Sequence, residues 1–117
     1  MALESERIAA AQKAREAREL QEKPGVSEML EANALVNGDR QVAYGPPIES
    51  YTAQAKVWSG MLAHKLKEDL TAEDVVLILA AMKLRREALK SKRDNIVDGH
   101  GYLLVLSHVK ASRDEPR

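Results

Sequence analysis

Cysteine and phenylalanine are absent from this chain of 117 residues, which has one tryptophan and three tyrosines. Without cysteine the chain forms no disulfide and offers neither a thiolate metal ligand nor a cysteine nucleophile. An excess of charge is also lacking, because 18 basic residues balance 18 acidic residues. Proteins that bind nucleic acid non-specifically carry a basic surface, so we expect no nucleic-acid partner.

Long apolar runs are missing as well. No stretch approaches the roughly 18 apolar residues of a spanning helix. Residues 1–12 lack the apolar segment of a secretory signal. We therefore expect a cytoplasmic protein with no membrane association.

The residues that are abundant favour helix. Ala, Leu, Glu, Lys and Arg dominate, whereas alternating β-branched residues are scarce. The composition predicts an all-α fold, a small antiparallel bundle of about four core helices. We expect a charged N-terminal helix or tail over residues 1–25, one helical domain over 26–110 and a disordered tail over 111–117.

Local signals place the first two core helices. Ser27 is a candidate N-cap of a short helix, and Gly38 is its candidate C-terminal glycine. Residues 37–47 have the glycines and prolines of a loop, and Pro47 suits the first position of the next helix. The spacing of five residues in that helix predicts one buried stripe: Tyr51, Ala55, Trp58, Leu62 and Leu66.

Sequence signals also locate the last two helices. Thr71 and Asp74 have the spacing of a capping box. The run 75–82 that follows is apolar on every side, which predicts a central helix buried all round. A break over 91–94 precedes a last apolar helix.

Two aspartates form a candidate metal site. Asp94, Asp98 and Tyr102 are spaced i, i+4, i+8, so they share one helix face and the two carboxylates can hold one Mg²⁺. Phosphate or water oxygens would complete the coordination of the ion. The alternative is structural: Asp94 caps the helix and Asp98 pairs with a base.

Two further groups are candidate anion sites. Lys83 and Arg86 lie where the central helix leaves its apolar run, and together they can hold a phosphate. Alternatively they only suit the C-terminal end of the helix dipole. In the glycine-containing loop, Arg40 and Tyr44 can clasp an anion or a base, unless Arg40 simply pairs with an acid.

The order of these motifs resembles that of a family of small bacteriophage and prophage proteins of unknown function. The resemblance covers about residues 32–106 and implies the cytoplasm of an infected or lysogenic bacterium. It is carried by Asn37-Gly38-Asp39-Arg40, Tyr44-Gly45-Pro46, Trp58, Asp74-Val75-Val76, Met82-Lys83-Leu84-Arg85-Arg86, Asp94-Asn95-Ile96-Val97-Asp98 and Gly101-Tyr102.

That family is similar in turn to the all-α nucleotide pyrophosphohydrolases of the MazG and dimeric dUTPase type. The similarity implies a nucleotide ligand, with Asp98 as the last acid of an E-x-x-D motif whose first position here is Asn95. It implies metal ligands Asp94 and Asp98. The implied ligand-binding residues are Arg40, Tyr44, Trp58, Lys83, Arg86 and Tyr102.

Two classes of function stay open. The first is a phage protein that binds a nucleotide or phosphorylated metabolite with Mg²⁺, with or without hydrolysis. The second is a non-enzymatic helical interaction protein, which binds a host or phage partner or sequesters a nucleotide signal. In either case a core with one Trp and no Phe is thin, so we expect a homo-oligomer, most simply a dimer.

Overall fold

The computed structural model describes residues 2–40, 43 and 45–114. It is all-α, as expected, with 82% helix, and no strand occurs within those ranges. No helix in this part of the chain is long and apolar enough to cross a membrane. The helices are α1 (Ala2–Gln21), α2 (Val26–Ala34), a π-helical segment (Leu35–Asp39), α3 (Pro47–Met61), α4 (Ala72–Leu89) and α5 (Arg93–Asp114).

Helix α1 stands away from the rest of the molecule. Its described side chains are exposed along the whole helix, and it contacts only α2. The radius of gyration is 19.2 Å, whereas a compact domain of this length has about 13 Å. Within the charged segment expected over 1–25, residues 2–21 therefore form a projecting helix.

Helix α2 begins and ends differently from the prediction. Gly25, with a left-handed φ of 85°, is the N-cap and provides no side-chain bond, whereas Ser27 lies inside the helix. Gly38 does not end the helix, because the chain continues through the π-helical segment. Asn37 stabilises this continuation: its amide donates to Asn33 Oδ1 at 2.6 Å, and its Oδ1 lies 2.6 Å from His108 Nε2 on α5. These bonds hold the start of the expected loop in a helical form.

Helix α3 begins at Pro47, as predicted, but it ends earlier than the apolar spacing suggests. The helix stops at Met61, so Leu62 and Leu66 lie beyond it and Leu62 is exposed. The chain turns back here, since the backbone N–H of Leu70 donates to Ser59 Oγ at 2.8 Å. Ala55 is buried, as expected for the stripe.

Helix α4 begins with the predicted capping box of Thr71 and Asp74. The prediction that its apolar run is buried all round was wrong. Val75 and Val76 are fully buried, but Leu77 and Ile78 are about half exposed. Among the described residues, α3 and α5 cover only one side of α4, so the other side faces solvent.

Helix α5 packs against α2, α3 and α4 and completes a small core. It begins after a break at 90–92 and reaches Asp114, four residues into the range 111–117 that we expected to be a tail. Arg93 in its first turn pairs with Glu28 and Glu31 of α2. The buried residues of the core cluster are valines and one alanine: Val36, Ala72, Val76, Val105 and Val109.

Candidate functional site

An open pocket of about 440 Å³ lies where α4 ends and α5 begins. We call it the basic pocket, because four of its lining residues are lysine or arginine. Four of the residues singled out in the sequence meet in it: Lys83, Arg86, Asp94 and Asp98. The other residues that line it are Leu89, Lys90, Lys92 and Asn95.

Lys83 and Asp98 form an ion pair that joins α4 to α5 at the edge of the basic pocket. Lys83 Nζ lies 2.8 Å from Asp98 Oδ2, and the two side chains are only 15% and 27% exposed. Asp98 therefore pairs with a base, as in the structural alternative. An added metal ion at Asp98 would have to share this carboxylate with Lys83 or displace the lysine.

Asn95 lines the basic pocket and is held by hydrogen bonds to the end of α4 and to the turn that follows. Its amide nitrogen donates to Glu87 Oε1 at 3.2 Å and to the carbonyl of Lys90 at 3.3 Å. Glu87 also accepts from the backbone N–H of Lys92 at 2.8 Å and from the hydroxyl of Ser91 at 2.7 Å. These bonds lower the pKa of Glu87 below its usual 4.5, the Lys92 N–H most strongly. Glu87 and Asn95 thus shape the turn that brings both helices to the pocket.

The basic pocket has two carboxylates in its lining, those of Asp94 and Asp98. No group of three or more His, Asp or Glu side chains in the described residues is placed to hold a metal. Asp94 and Asp98 both line the pocket, and Asp94 is exposed. Mg²⁺ is often held by one or two carboxylates together with phosphate oxygens and water. Two carboxylates are thus available in this lining, and any further ligands of such an ion would have to come from outside the described residues.

A second pocket of about 440 Å³ lies between α3, α5 and the end of the π-helical segment. We call it the tyrosine pocket. Its polar lining side chains are those of Arg40, Ser50 and Tyr51. Burial raises the pKa of Tyr51 above its usual 10.0, the Tyr102 hydroxyl adds to this rise, and the Arg40 guanidinium opposes it. Tyr51, Tyr102 and Arg40 therefore lie close enough to influence one another.

A narrow cavity of about 20 Å³ lies between the two pockets. Arg40, Asp98 and Tyr102 are among its lining residues. Asp98 also lines the basic pocket, and Arg40 also lines the tyrosine pocket. One face of α5 therefore connects both pockets.

Comparison with known proteins identifies the family of this chain. The model of a domain of unknown function, DUF6378, matches residues 28–110. The chain belongs to the DUF6378 family. A relative is the Gene 55 protein of Mycobacterium phage L5, which is 30% identical over 91 residues, 77% of this chain and 56% of that protein. The chain thus spans about half the length of the curated relative it matches.

These findings confirm the expectation of a family of unknown function with a bacteriophage member. Both pockets lie within the DUF6378 match, whereas α1 lies outside it. No solved structure matches the chain.

Part of the lining of the two pockets was predicted from the sequence: Lys83, Arg86, Asp94 and Asp98 in the basic pocket and Arg40 in the tyrosine pocket. Trp58 is half-buried on α3 and belongs to the lining of neither pocket. Tyr44 lies outside the described residues. Lys90 and Lys92 were missed because they lie in the break between helices. Tyr51 was missed as a pocket residue because its spacing placed it in the buried stripe.

Proposed function

We propose that this DUF6378 chain binds a nucleotide or a related phosphorylated metabolite together with Mg²⁺. The observation that supports the proposal is the lining of the basic pocket, in which four cationic side chains and two carboxylates surround one open space of about 440 Å³. A surplus of positive charge favours an anion, and the carboxylates favour a cation that accompanies it.

The cations of the pocket have separate roles in the proposal. Arg86 is exposed and offers a planar fork that suits two phosphate oxygens. Lys90 and Lys92 are exposed point charges at the same pocket. Lys83 lies 2.8 Å from Asp98, so its role in the proposal is to hold that carboxylate in place.

Asp94 and Asp98 are the proposed ligands of Mg²⁺. The ion would neutralise part of the phosphate charge when it is bound there. The tyrosine pocket, with Tyr51 and Arg40 in its lining, is the proposed place for the uncharged part of the ligand. Tyr102 lies between the two pockets.

Hydrolysis is a separate question. The pyrophosphohydrolases that the motifs resemble use acids from both an E-x-x-E and an E-x-x-D motif, whereas here position 95 is an asparagine engaged with Glu87. Two carboxylates line the basic pocket. Binding is therefore our proposal, and formation of nucleoside monophosphate and pyrophosphate is an additional readout of the same experiment.

The test is a thermal-shift screen with nucleoside mono-, di- and triphosphates and inorganic pyrophosphate, with and without Mg²⁺. A ligand at 100 times its Kd stabilises the folded state by about 2.7 kcal/mol. We expect at least one phosphate-bearing compound to raise the unfolding temperature, and Arg86→Met should abolish this rise. The control is Lys56→Met, which removes an exposed cation of α3 away from the pocket. The proposal is contradicted if no compound raises the unfolding temperature, or if both variants lose the rise equally.

A second candidate is a non-enzymatic interaction protein, which a different observation favours. Large apolar side chains are exposed on α4 and α5, and α1 projects without a neighbour other than α2 among the described residues. A protein of this class would retain its partner when the basic pocket is mutated. Capture of the same partner by wild type and by Arg86→Met would support it.

A further inference from the structure

An apolar face runs along the outer sides of α4 and α5. Between the helices it forms a groove of about 260 Å³, which has Ala80 and Gly99 among its lining residues. Leu84 and Leu103 line the groove and are 71% and 56% exposed. Ile96 also lines the groove, Leu77 extends the face along α4, and both are exposed. We call these six residues the apolar face.

We propose that the apolar face binds the apolar face of a second copy of this chain, with the two α4 helices antiparallel. This inference goes beyond the proposed ligand and does not depend on it. The face offers both protruding side chains and a recess, and a two-fold dimer requires one surface that is complementary to itself.

The groove has room that the chain itself does not fill. A Cβ placed on Gly99 would have no heavy atom within 4 Å outside its own helix backbone and chain neighbours. Leu84 and Leu103 project beside this space. In a two-fold arrangement apolar side chains of one copy can occupy this space in the other copy.

Charge along α4 favours the antiparallel orientation. Asp74 lies in the first turn of α4, and Arg85 follows eleven positions later, which is about three helical turns and therefore the same side of the helix. A two-fold axis midway between them puts Asp74 of each copy opposite Arg85 of the other copy. A parallel arrangement would instead put like charges together.

The apolar face would form the centre of the interface. The six residues span about 10 Å along each helix, and two packed helices are about 20 Å wide, so the rest of the ~800 Å² per partner of a standard interface would come from the neighbouring residues of α4 and α5. The small valine and alanine core of one copy also leaves apolar surface to be covered.

The interface would border the basic pocket. Lys83 and Asn95 line both the basic pocket and the apolar groove, on opposite sides. A second copy seated in the groove would therefore restrict the movement of Lys83 and of the turn that Glu87 holds.

Sedimentation equilibrium over a concentration series tests the proposal. We expect wild type to have twice the 13.0 kDa mass of one chain. Leu84→Glu puts a charge on the apolar face and should weaken the dimer by at least about tenfold in Kd. The matched control is Leu3→Glu on α1, because Leu3 is 70% exposed and Leu84 is 71% exposed.

Two further variants separate a lost interface from a lost fold. Gly99→Leu fills the recess, where the chain itself leaves space, so circular dichroism should show retained helix while the dimer dissociates. Arg85→Glu should weaken the dimer, Arg85→Lys should retain it, and Arg18→Glu on α1 should have no effect.

Two outcomes would overturn the proposal. One is a wild-type chain that stays at 13.0 kDa over the whole concentration series. The other is a dimer that Leu3→Glu dissociates and that Leu84→Glu and Gly99→Leu leave intact, since that result would place α1 in the interface.

Discussion

Lys83 and Asp98 are joined across the α4–α5 interface by an ion pair of 2.8 Å at the edge of the basic pocket. Both side chains are largely shielded from water. Loss of one partner therefore leaves the other charge with poor compensation. The pair connects the stability of the helix packing to the chemistry of the pocket.

The first prediction concerns the strength of this pair. Lys83→Met and Asp98→Asn should each lower the free energy of unfolding, and the double variant should lose less than the sum of the two. We expect a coupling energy on the order of 1 kcal/mol, measured by urea denaturation of all four proteins. Additive losses would show that the two charges do not interact in solution.

The capping box of α4 gives the second prediction. Thr71 Oγ1 accepts from the backbone N–H of Asp74 at 3.2 Å, and Asp74 Oδ2 accepts from the backbone N–H of Thr71 at 2.9 Å. Thr71→Ala should destabilise the chain by about 1 kcal/mol. Thr71→Ser retains a hydroxyl acceptor and is the control. Equal stability of the alanine and serine variants would argue against the cap.

The third prediction concerns pH and Glu87. Hydrogen bonds to its carboxylate lower the pKa of Glu87 in the folded state below 4.5. The stabilisation is therefore fully present above the unfolded-state pKa and disappears as the pH falls through the lower folded-state pKa. Wild type should be more stable than Glu87→Gln at pH 7, and the difference should shrink below pH 4.5.

Chemical denaturation at several pH values checks this dependence. Glu68→Gln changes an exposed glutamate between α3 and α4 and serves as the control. A difference between wild type and Glu87→Gln that stays constant into the acid range would contradict the role assigned to the Glu87 carboxylate.

Two glycines give the fourth prediction, with effects of opposite sign. Gly60 lies in α3 and has open space at its Cβ position, so Gly60→Ala should stabilise the chain by about 0.5–1 kcal/mol. Gly45 has a φ of 77°, and Gly45→Ala should destabilise the chain by about 1 kcal/mol or more. Thermal unfolding measures both, and a shift of the same sign for the two variants would contradict it.

Features that depend on a few neighbouring residues could be predicted from the sequence. The capping box at Thr71 and the start of α3 at Pro47 are of this kind, because the bonds or dihedral angles involved are local. The exposure of Leu77 was not predictable in this way. It depends on which helices lie beside α4, and an apolar run does not show how many neighbours it has.

The basic pocket shows the same limit. Lys83, Arg86, Asp94 and Asp98 were chosen as two separate groups, and the turn at 90–92 brings them to one pocket. Lys90 and Lys92 line the pocket because of the geometry of that turn. They lie between two helices, so no helical spacing in the sequence marks them as pocket residues. The role of Asn95 as a donor to Glu87 likewise depends on a tertiary contact.

The most direct test of the central claim is calorimetric titration of the protein with ATP and with inorganic pyrophosphate, in the presence and absence of Mg²⁺. We predict saturable binding that requires Mg²⁺ and that Asp98→Asn weakens while circular dichroism shows an unchanged helix content. Mg²⁺-independent binding that Asp98→Asn leaves unchanged, or no binding of either ligand to wild type, would contradict it.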